Sequence, residues 1–112
     1  MKHFAAIGFD HPPHAMARRD ALRAEHRRYV LRNDGNLLMT GAMTDGNGNQ
    51  CGTIYVFRAD RAEDVWTWLK AEPFHAGGVY ATMRVVEWTP ALNRFDRIEW
   101  PPQVIRDNPA TP

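Results

Sequence analysis

The sequence is poor in the features that mark several large classes of protein. It holds a single cysteine, Cys51, so no disulfide can form within the chain, and a secreted, disulfide-stapled framework is excluded. No apolar run reaches the ~20 residues that a membrane-spanning helix needs. Basic and acidic side chains nearly balance, at 14 against 13, whereas nucleic-acid-binding domains carry a clustered basic excess. We therefore predict a cytoplasmic protein that binds neither membranes nor nucleic acids.

Patterns for phosphate loops and metal centres are missing as well. Gly46 and Gly48 lie between two predicted strands and do not open a helix, as a nucleotide-binding loop would. His11 and His14, with His3 nearby, match no standard metal-ligand spacing, so we interpret them as surface histidines. Cys51 has no evident base beside it and is predicted to be inert. We expect neither a metal nor a cofactor.

The pattern of the remaining residues indicates one α+β domain. The length of 112 residues and the 44% of hydrophobic residues are typical of a single globular unit. Residues 3–9 form a short apolar stretch that Asp10 and two prolines interrupt, which indicates a first strand followed by a turn, and not a signal peptide. Residues 14–34 lack glycine and proline and place Leu22, His26 and Val30 on one helical face. We interpret the arginines of this helix as a solvated face, and Asp34 with Gly35 as its end.

The second half of the chain repeats the alternation of strand and helix. Strands are predicted over residues 37–43 and 53–58, with a loop over 44–50 between them. Asp60 with Glu63 resembles a capping box at the start of a second helix, which Pro73 closes. A fourth strand is predicted over residues 79–88. The order βαββαβ is that of a ferredoxin-like domain, which we assign to residues 1–90.

Residues 91–112 are predicted to form a proline-rich C-terminal extension, and not a second domain. Apolar side chains recur between its prolines, which indicates that part of the arm packs on another surface, such as that of a second subunit: Phe95, Ile98, Trp100 and Ile105.

Both faces of the predicted sheet are apolar, which favours a homodimer. In the first strand Phe4 and Ala6 point one way, and Ile7 and Phe9 the other. A sheet with helices on one face and water on the other would alternate apolar and polar residues cleanly. An exposed apolar face usually marks an interface, and the simplest cover is the same face of a second copy.

One histidine stands out as a candidate for catalysis. His26 lies in the apolar stripe of the first helix, where desolvation favours the neutral imidazole, which can accept a proton. The alternative is a core histidine satisfied by a backbone carbonyl or by water. Glu72, held by Pro73, could orient the imidazole, or be a solvated residue at a helix end.

Asp34 is a second carboxylate candidate, for which helix termination is the simpler role. Gly41, in mid-strand, marks either a close approach of a ligand or a bulge.

Three segments together resemble the YCII-related (YciI-like) family: 23–26 (RAEH), 33–41 (NDGNLLMTG) and 71–80 (AEPFHAGGVY). The family pattern is an arginine shortly before a histidine, an xGxLLxxG segment, and DPFxxAGV ahead of the last strand. The resemblance implies a dimeric α/β barrel of ferredoxin-like protomers with a histidine and an aspartate in the active site. These map onto His26 and Glu72, so the carboxylate here is one methylene longer. A few relatives degrade chlorinated aromatic compounds, and muconolactone isomerases look similar in fold.

The leading hypothesis is a cofactor-independent enzyme for a small cyclic or aromatic metabolite. His26 would be the general acid and base, and Glu72 would orient it and stabilise its charged form. Phe74, Tyr80 and Trp88 would form pocket walls, although core packing is an alternative role for these aromatic residues. Gly41 is a further substrate-binding candidate. The second hypothesis is a non-catalytic ligand-binding or regulatory homodimer. RNA binding is a third, disfavoured because the third strand has aromatic residues without the basic-glycine lead of RNA-recognition modules.

Overall fold

The computed structural model describes residues 1–32, 36–102 and 104, and within them the strands and helices follow the predicted βαββαβ order. In chain order the elements are β1 (Lys2–Asp10), α1 (Met16–Leu31), β2 (Leu37–Thr44), β3 (Gln50–Ala59), α2 (Ala62–Ala71), α3 (Pro73–Ala76) and β4 (Tyr80–Glu87). The ferredoxin-like fold class is confirmed, with the short α3 added between α2 and β4. The predicted helix end at Asp34 and Gly35, and Ile105 of the arm, lie outside the described residues. No described helix has the length and apolarity to cross a membrane.

The four strands form one antiparallel sheet in the order β2-β3-β1-β4. In β1 and β3 the register places Ala6 opposite Tyr55, and on the other side of β1 it places Ala6 opposite Val85. Because β1 and β3 are the inner strands, side chains on them have neighbours on both sides. They are therefore the most firmly fixed positions of the sheet.

Alternation along the inner strands sends one set of side chains into the core beneath the helices. Phe4 and Ala6 of β1 and Tyr55 and Phe57 of β3 are buried there. Helix α2 has an apolar stripe that covers this set, and its residues Val65 and Leu69 are also fully buried. Removing such side chains from water is the main source of stability of a domain of this size.

The opposite side of the sheet, which we call the outer face, carries no helix. Its members include Ile7, Phe9, Ile54 and Val56, and Phe9 remains 54% exposed and Ile54 40% exposed. Trp100 of the C-terminal arm lies over the outer face beside β2 and β3 and closes an apolar cavity of about 280 Å³. Its lining is Met39, Thr40, Gly41, Ala42, Ile54, Val56 and Trp100.

Two local predictions were wrong. Asp60 does not cap α2, because the helix begins one residue later, with the extended Arg61 at the cap position and no side-chain cap bond. Glu63 and Asp64 instead occupy the first turn, where their negative charge suits the positive end of the helix dipole. Asp10 does not lie in a turn but is the last residue of β1, and it is buried.

Candidate functional site

Helix α1 packs the His26 side chain against the core, where it is mostly shielded from solvent. The His26 side chain is only 14% exposed, and its ring stacks on Phe74 with centroids 3.8 Å apart and planes inclined by 8°. A stacked ring cannot turn freely about its side-chain bonds. The plane of the imidazole is therefore set by Phe74, which is itself buried.

Glu72 lies at the junction between α2 and α3. It ends α2 with an extended backbone, and its side chain caps α3 by accepting a hydrogen bond from the backbone N–H of His75 at 3.0 Å. Pro73 at the first position of α3 has no N–H to leave unsatisfied, and its ring fixes the local backbone. The Glu72 carboxyl group is thereby held in the interior, where its side chain has no exposure to solvent.

The structure brings the two predicted catalytic residues together. Oε1 of Glu72 and Nδ1 of His26 are joined by a hydrogen bond, although the residues are 46 positions apart. Gly77 helps to bring the segments close, because a Cβ there would collide with the side chain of Leu22 and come within 2.7 Å of the Pro73 carbonyl oxygen. A glycine at this point lets α1 pack directly on the α3 segment.

Two tyrosines extend this pair into a buried polar cluster. The Tyr55 hydroxyl donates to Oε2 of Glu72 at 3.1 Å, and the hydroxyls of Tyr55 and Tyr80 are 2.6 Å apart. Burial raises the pKa of Tyr55 far above its usual range, and the nearby Tyr80 and Glu72 raise it further. Burial also raises the pKa of Tyr80, and the charge of Glu72 raises it further, whereas the charge of Arg19 lowers it. Both phenols therefore stay neutral at physiological pH.

A buried ion pair lies beside the cluster. Arg19 donates to Asp10 through Nε at 2.6 Å and through Nη2 at 2.9 Å, and Nη2 also donates to the Thr53 hydroxyl at 2.9 Å. The guanidinium carbon lies 5.0 Å from the centroid of the Phe74 ring and 5.9 Å from that of Tyr80. Burial alone would lower the pKa of Arg19, but the hydrogen bonds and charge of Asp10 raise it. Arg19 is thus a permanent internal cation.

The arginines of α1 consequently do not all lie on a solvated face. Arg27 and Arg28 are exposed, as predicted, but Arg19 is only 1% exposed, and for it the prediction was wrong. Arg19 lies three positions before Leu22 and seven before His26, so helical spacing places all three on the stripe that faces the core.

The other predicted site residues lie apart from the pair or within the core. Gly41 is opposite Ile54 on the outer face, on the other side of the sheet from His26, and a Cβ at Gly41 would meet nothing within 4 Å. The structure therefore does not bring Gly41 together with His26, and a role of Gly41 in binding a ligand stays a prediction. Phe74 and Tyr80 are buried. Phe74 stacks on His26, whereas the Tyr80 hydroxyl contacts that of Tyr55, which in turn donates to Glu72, so their role as pocket walls stays a prediction. Asp34 lies outside the described residues.

The comparison with known families agrees with the resemblance in the three segments. A family model described as the YCII-related domain matches residues 3–89, which is most of the chain. The chain belongs to the YCII-related family. The match ends where the C-terminal arm begins, so the arm lies outside the part that defines the family.

The solved structures that match this YCII-related protein are distant from it in sequence. One is the 5-chloro-2-hydroxyhydroquinone dehydrochlorinase TftG from Burkholderia phenoliruptrix AC1100, in complex with 2,5-dihydroxybenzoquinone. It is 20% identical, with a TM-score of 0.71, over 80% of this chain and 95% of that one. PA3566 from Pseudomonas aeruginosa is 14% identical, with a TM-score of 0.46, over 80% of this chain and 93% of that one. At such identities the likeness concerns the fold alone. No curated protein matches the chain.

The arrangement in this YCII-related protein is suited to proton transfer. An ionised carboxylate only accepts hydrogen bonds, so Glu72 fits a His26 that carries a proton on Nδ1. Nε2 is then the nitrogen that can take a proton from another molecule or return one. Within the described residues no group of three or more histidine, cysteine, aspartate or glutamate side chains is placed to hold a metal ion.

Proposed function

We propose that this protein is a cofactor-independent enzyme that acts on a small cyclic or aromatic metabolite, with His26 as general acid and base and Glu72 as the group that orients it. The observation that carries the proposal is the hydrogen bond between His26 and a fully buried Glu72. A buried carboxylate is costly unless it is fully hydrogen-bonded. Here the imidazole, Tyr55 and the His75 backbone supply the donors.

The stacking of His26 on Phe74 supports a functional role in addition to the hydrogen bond. A positioned imidazole typically accelerates proton transfer by about 10²–10⁴-fold. Its efficiency depends on a fixed orientation towards the reacting atom. Phe74 sets the ring plane and Glu72 sets the rotation within that plane, so both degrees of freedom are restricted before a substrate binds.

Elimination of hydrogen chloride from a chlorinated hydroquinone is a concrete reaction of this class. Its net change is the loss of one proton and one chloride ion from the substrate, which needs no redox cofactor. A base that accepts a proton and later releases it to water meets that requirement. The fold shared with a dehydrochlorinase makes 5-chloro-2-hydroxyhydroquinone a suitable first test compound.

The proposal predicts that His26 is indispensable for turnover. His26→Ala and Glu72→Gln are each expected to reduce chloride release from 5-chloro-2-hydroxyhydroquinone, or from a better substrate of the same class, by about 10²–10⁴-fold. The reason is that the first change removes the base and the second removes the group that orients it. Chloride release followed with an ion-selective electrode measures the rate.

His11→Ala serves as the control, because His11 is exposed and remote in sequence from the pair. It is expected to retain the full rate. Undiminished chloride release by His26→Ala would rule out His26 as the catalyst. Saturable binding of the compound with no turnover in the wild-type protein would instead favour the non-catalytic ligand-binding dimer.

We also propose that the functional unit is a homodimer formed through the outer face. Large apolar side chains stay partly exposed on one side of the sheet even with Trp100 seated there, since Ile54 is 40% exposed and Phe9 54% exposed. Trp100 itself is 43% exposed. Apolar surface of this kind is stabilised by association with a second copy.

Ile54→Glu tests the proposed interface. The wild-type protein is expected to be a dimer by light scattering at micromolar concentration, and the variant a monomer. A charge buried without a partner costs several kcal/mol, which corresponds to a dissociation constant raised by about 100-fold or more. Ala21→Glu, on the exposed side of α1, is the matched control and is expected to stay dimeric. A monomeric wild-type protein would contradict the proposed dimer.

A further inference from the structure

The hydrogen bonds around Glu72 have a direction that can be derived from the number of hydrogens available. Tyr55 has one hydroxyl hydrogen and donates it to Oε2 of Glu72 at 3.1 Å. The 2.6 Å contact between the two tyrosine hydroxyls must then use the hydrogen of Tyr80. The chain of donation therefore runs from Tyr80 to Tyr55 to Glu72.

The two carboxylate oxygens of Glu72 consequently have different tasks. Oε2 accepts from the Tyr55 hydroxyl and from the backbone N–H of His75, whereas Oε1 is bound to Nδ1 of His26. Donors to a carboxylate stabilise its charged form. Those donors therefore oppose the uptake of a further proton by Glu72. If Glu72 took up such a proton from water, Oε1 would donate it to Nδ1, and the one proton of the neutral imidazole would lie on Nε2.

We propose that Tyr55 is a positioning residue of this site. Its hydroxyl, oriented by Tyr80, keeps Glu72 ionised, so that the single proton of the neutral His26 lies on Nδ1, where Glu72 accepts it in a hydrogen bond, and Nε2 is left without a proton to meet a substrate. The inference rests on the proposed function only in taking Nε2 as the atom that exchanges a proton with the substrate.

The packing of Tyr55 supports this role because the ring has no room to turn away. Tyr55 is fully buried on an inner strand. Its ring centroid lies 5.6 Å from that of Trp68 and 6.4 Å from that of Tyr80, with both rings nearly perpendicular to it. A hydroxyl held in this way is pre-organised, so the hydrogen bond to Glu72 needs no rearrangement when a substrate arrives.

The test is the tautomer of His26, observed by long-range ¹H–¹⁵N correlation NMR at about pH 9, well above the ordinary histidine pKa of about 6.5. In the wild-type protein the spectrum is expected to show a protonated Nδ1 and an unprotonated Nε2. Tyr55→Phe keeps the ring and deletes the hydroxyl. The ionised form of Glu72 then loses a hydrogen bond, so uptake of a proton from water by Glu72 becomes about tenfold more favourable. The ratio of the two tautomers is expected to move by the same factor towards protonated Nε2. A His26→Gln spectrum assigns the signals among the five histidines.

Tyr29→Phe is the matched control, because the Tyr29 hydroxyl donates to the Trp68 carbonyl oxygen at 2.7 Å and not to Glu72. It is expected to leave the ratio unchanged. Tyr80→Phe removes the donor to Tyr55 and is expected to move the ratio in the same direction by about threefold. If Tyr55→Phe does not fold, the tautomer ratio of Tyr80→Phe tests the inference by itself. A ratio that is unchanged in every folded member of this pair overturns the inference, as does protonated Nε2 in the wild-type protein.

The NMR readout does not depend on turnover, so the inference and the proposed function can fail separately. A tautomer that depends on Tyr55 in a protein with no turnover would support the inference and remove the enzymatic proposal. Turnover that requires His26 but is unaffected by Tyr55→Phe, together with an unchanged tautomer ratio, would support the enzymatic proposal and overturn the inference about Tyr55.

Discussion

Replacing Asp10 with alanine is expected to lower the free energy of unfolding by about 3–5 kcal/mol, because it leaves the buried Arg19 cation without its partner. Both side chains of this pair are at most 2% exposed, and two hydrogen bonds join them. Water therefore cannot reach Arg19 to replace the hydrogen bonds that its guanidinium loses with Asp10. Urea denaturation followed by tryptophan fluorescence measures the change.

Asp20→Ala is the control for this prediction, since Asp20 also pairs with an arginine of α1, namely Arg23, but at the surface. The Asp20 side chain is 62% exposed, and an exposed pair of this kind contributes at most about 1 kcal/mol. An equal effect of the two substitutions would show that Arg19 reaches water. A double variant, Asp10→Ala with Arg19→Met, is expected to lose less stability than the sum of the single changes, because the cation is gone.

The second prediction concerns alkaline pH, where the protein is expected to unfold without first ionising its tyrosines. All three tyrosines of the chain have a raised pKa, and burial is the largest cause for each: Tyr29, Tyr55 and Tyr80. Above pH ~10 the unfolded chain has lost phenolic protons that the folded chain still holds. Unfolding then releases protons, so stability falls as the pH rises from the unfolded pKa towards the folded one.

The expected slope is large because two of these phenols are deeply buried. Each contributes a loss of about 1.4 kcal/mol per pH unit above pH ~10, so Tyr55 and Tyr80 together lower the stability by about 2.8 kcal/mol per pH unit. A stability of about 5 kcal/mol, at the lower end of the usual range, is then lost within about two pH units. Phenolate absorbance and circular dichroism should therefore change together in one transition. Phenolate absorbance that rises near pH 10, with the fold intact, would contradict the burial of the tyrosines.

Tyr55→Phe provides the internal comparison for the alkaline experiment. It removes one ionisable group and keeps the ring, so the decline of stability with pH should be shallower by about 1.4 kcal/mol per pH unit. A slope that does not change would mean that Tyr55 ionises equally in the folded and the unfolded chain.

The fold could be predicted because its signals are local and repeated. Two-residue alternation in β1 and β3 and the stripe of α1 each involve several side chains, so one misleading residue does not change the interpretation. The pairing of His26 with Glu72 needed more, since a contact over 46 positions follows from how α1 meets the α2–α3 junction. It came from the motif spacing, and not from the periodicity.

The buried ion pair was missed because charged residues at the ends of elements usually face water. The alternation that buries Phe4, Ala6 and Gly8 also buries Asp10, but an aspartate before two prolines is typical of a turn. Arg19 fits the apolar stripe only once an acidic partner is known to lie beneath it. Each of these two charged residues is stable in the core only when it is paired with the other, and no local sequence pattern shows that they pair. The same reasoning applies to Tyr55, whose strand was predicted but whose hydrogen bond to Glu72 was not.

The alternation of β3 has a consequence for how the gene for this chain can vary. Ile54 and Val56 point to the outer face, and Tyr55 and Phe57 to the core. Substitutions there affect one side at a time, but the insertion or deletion of a single codon between positions 53 and 57 would exchange the two sides. An isoleucine would then occupy the place of the phenol at Glu72. Related genes should accordingly keep the length of this strand even where its residues differ.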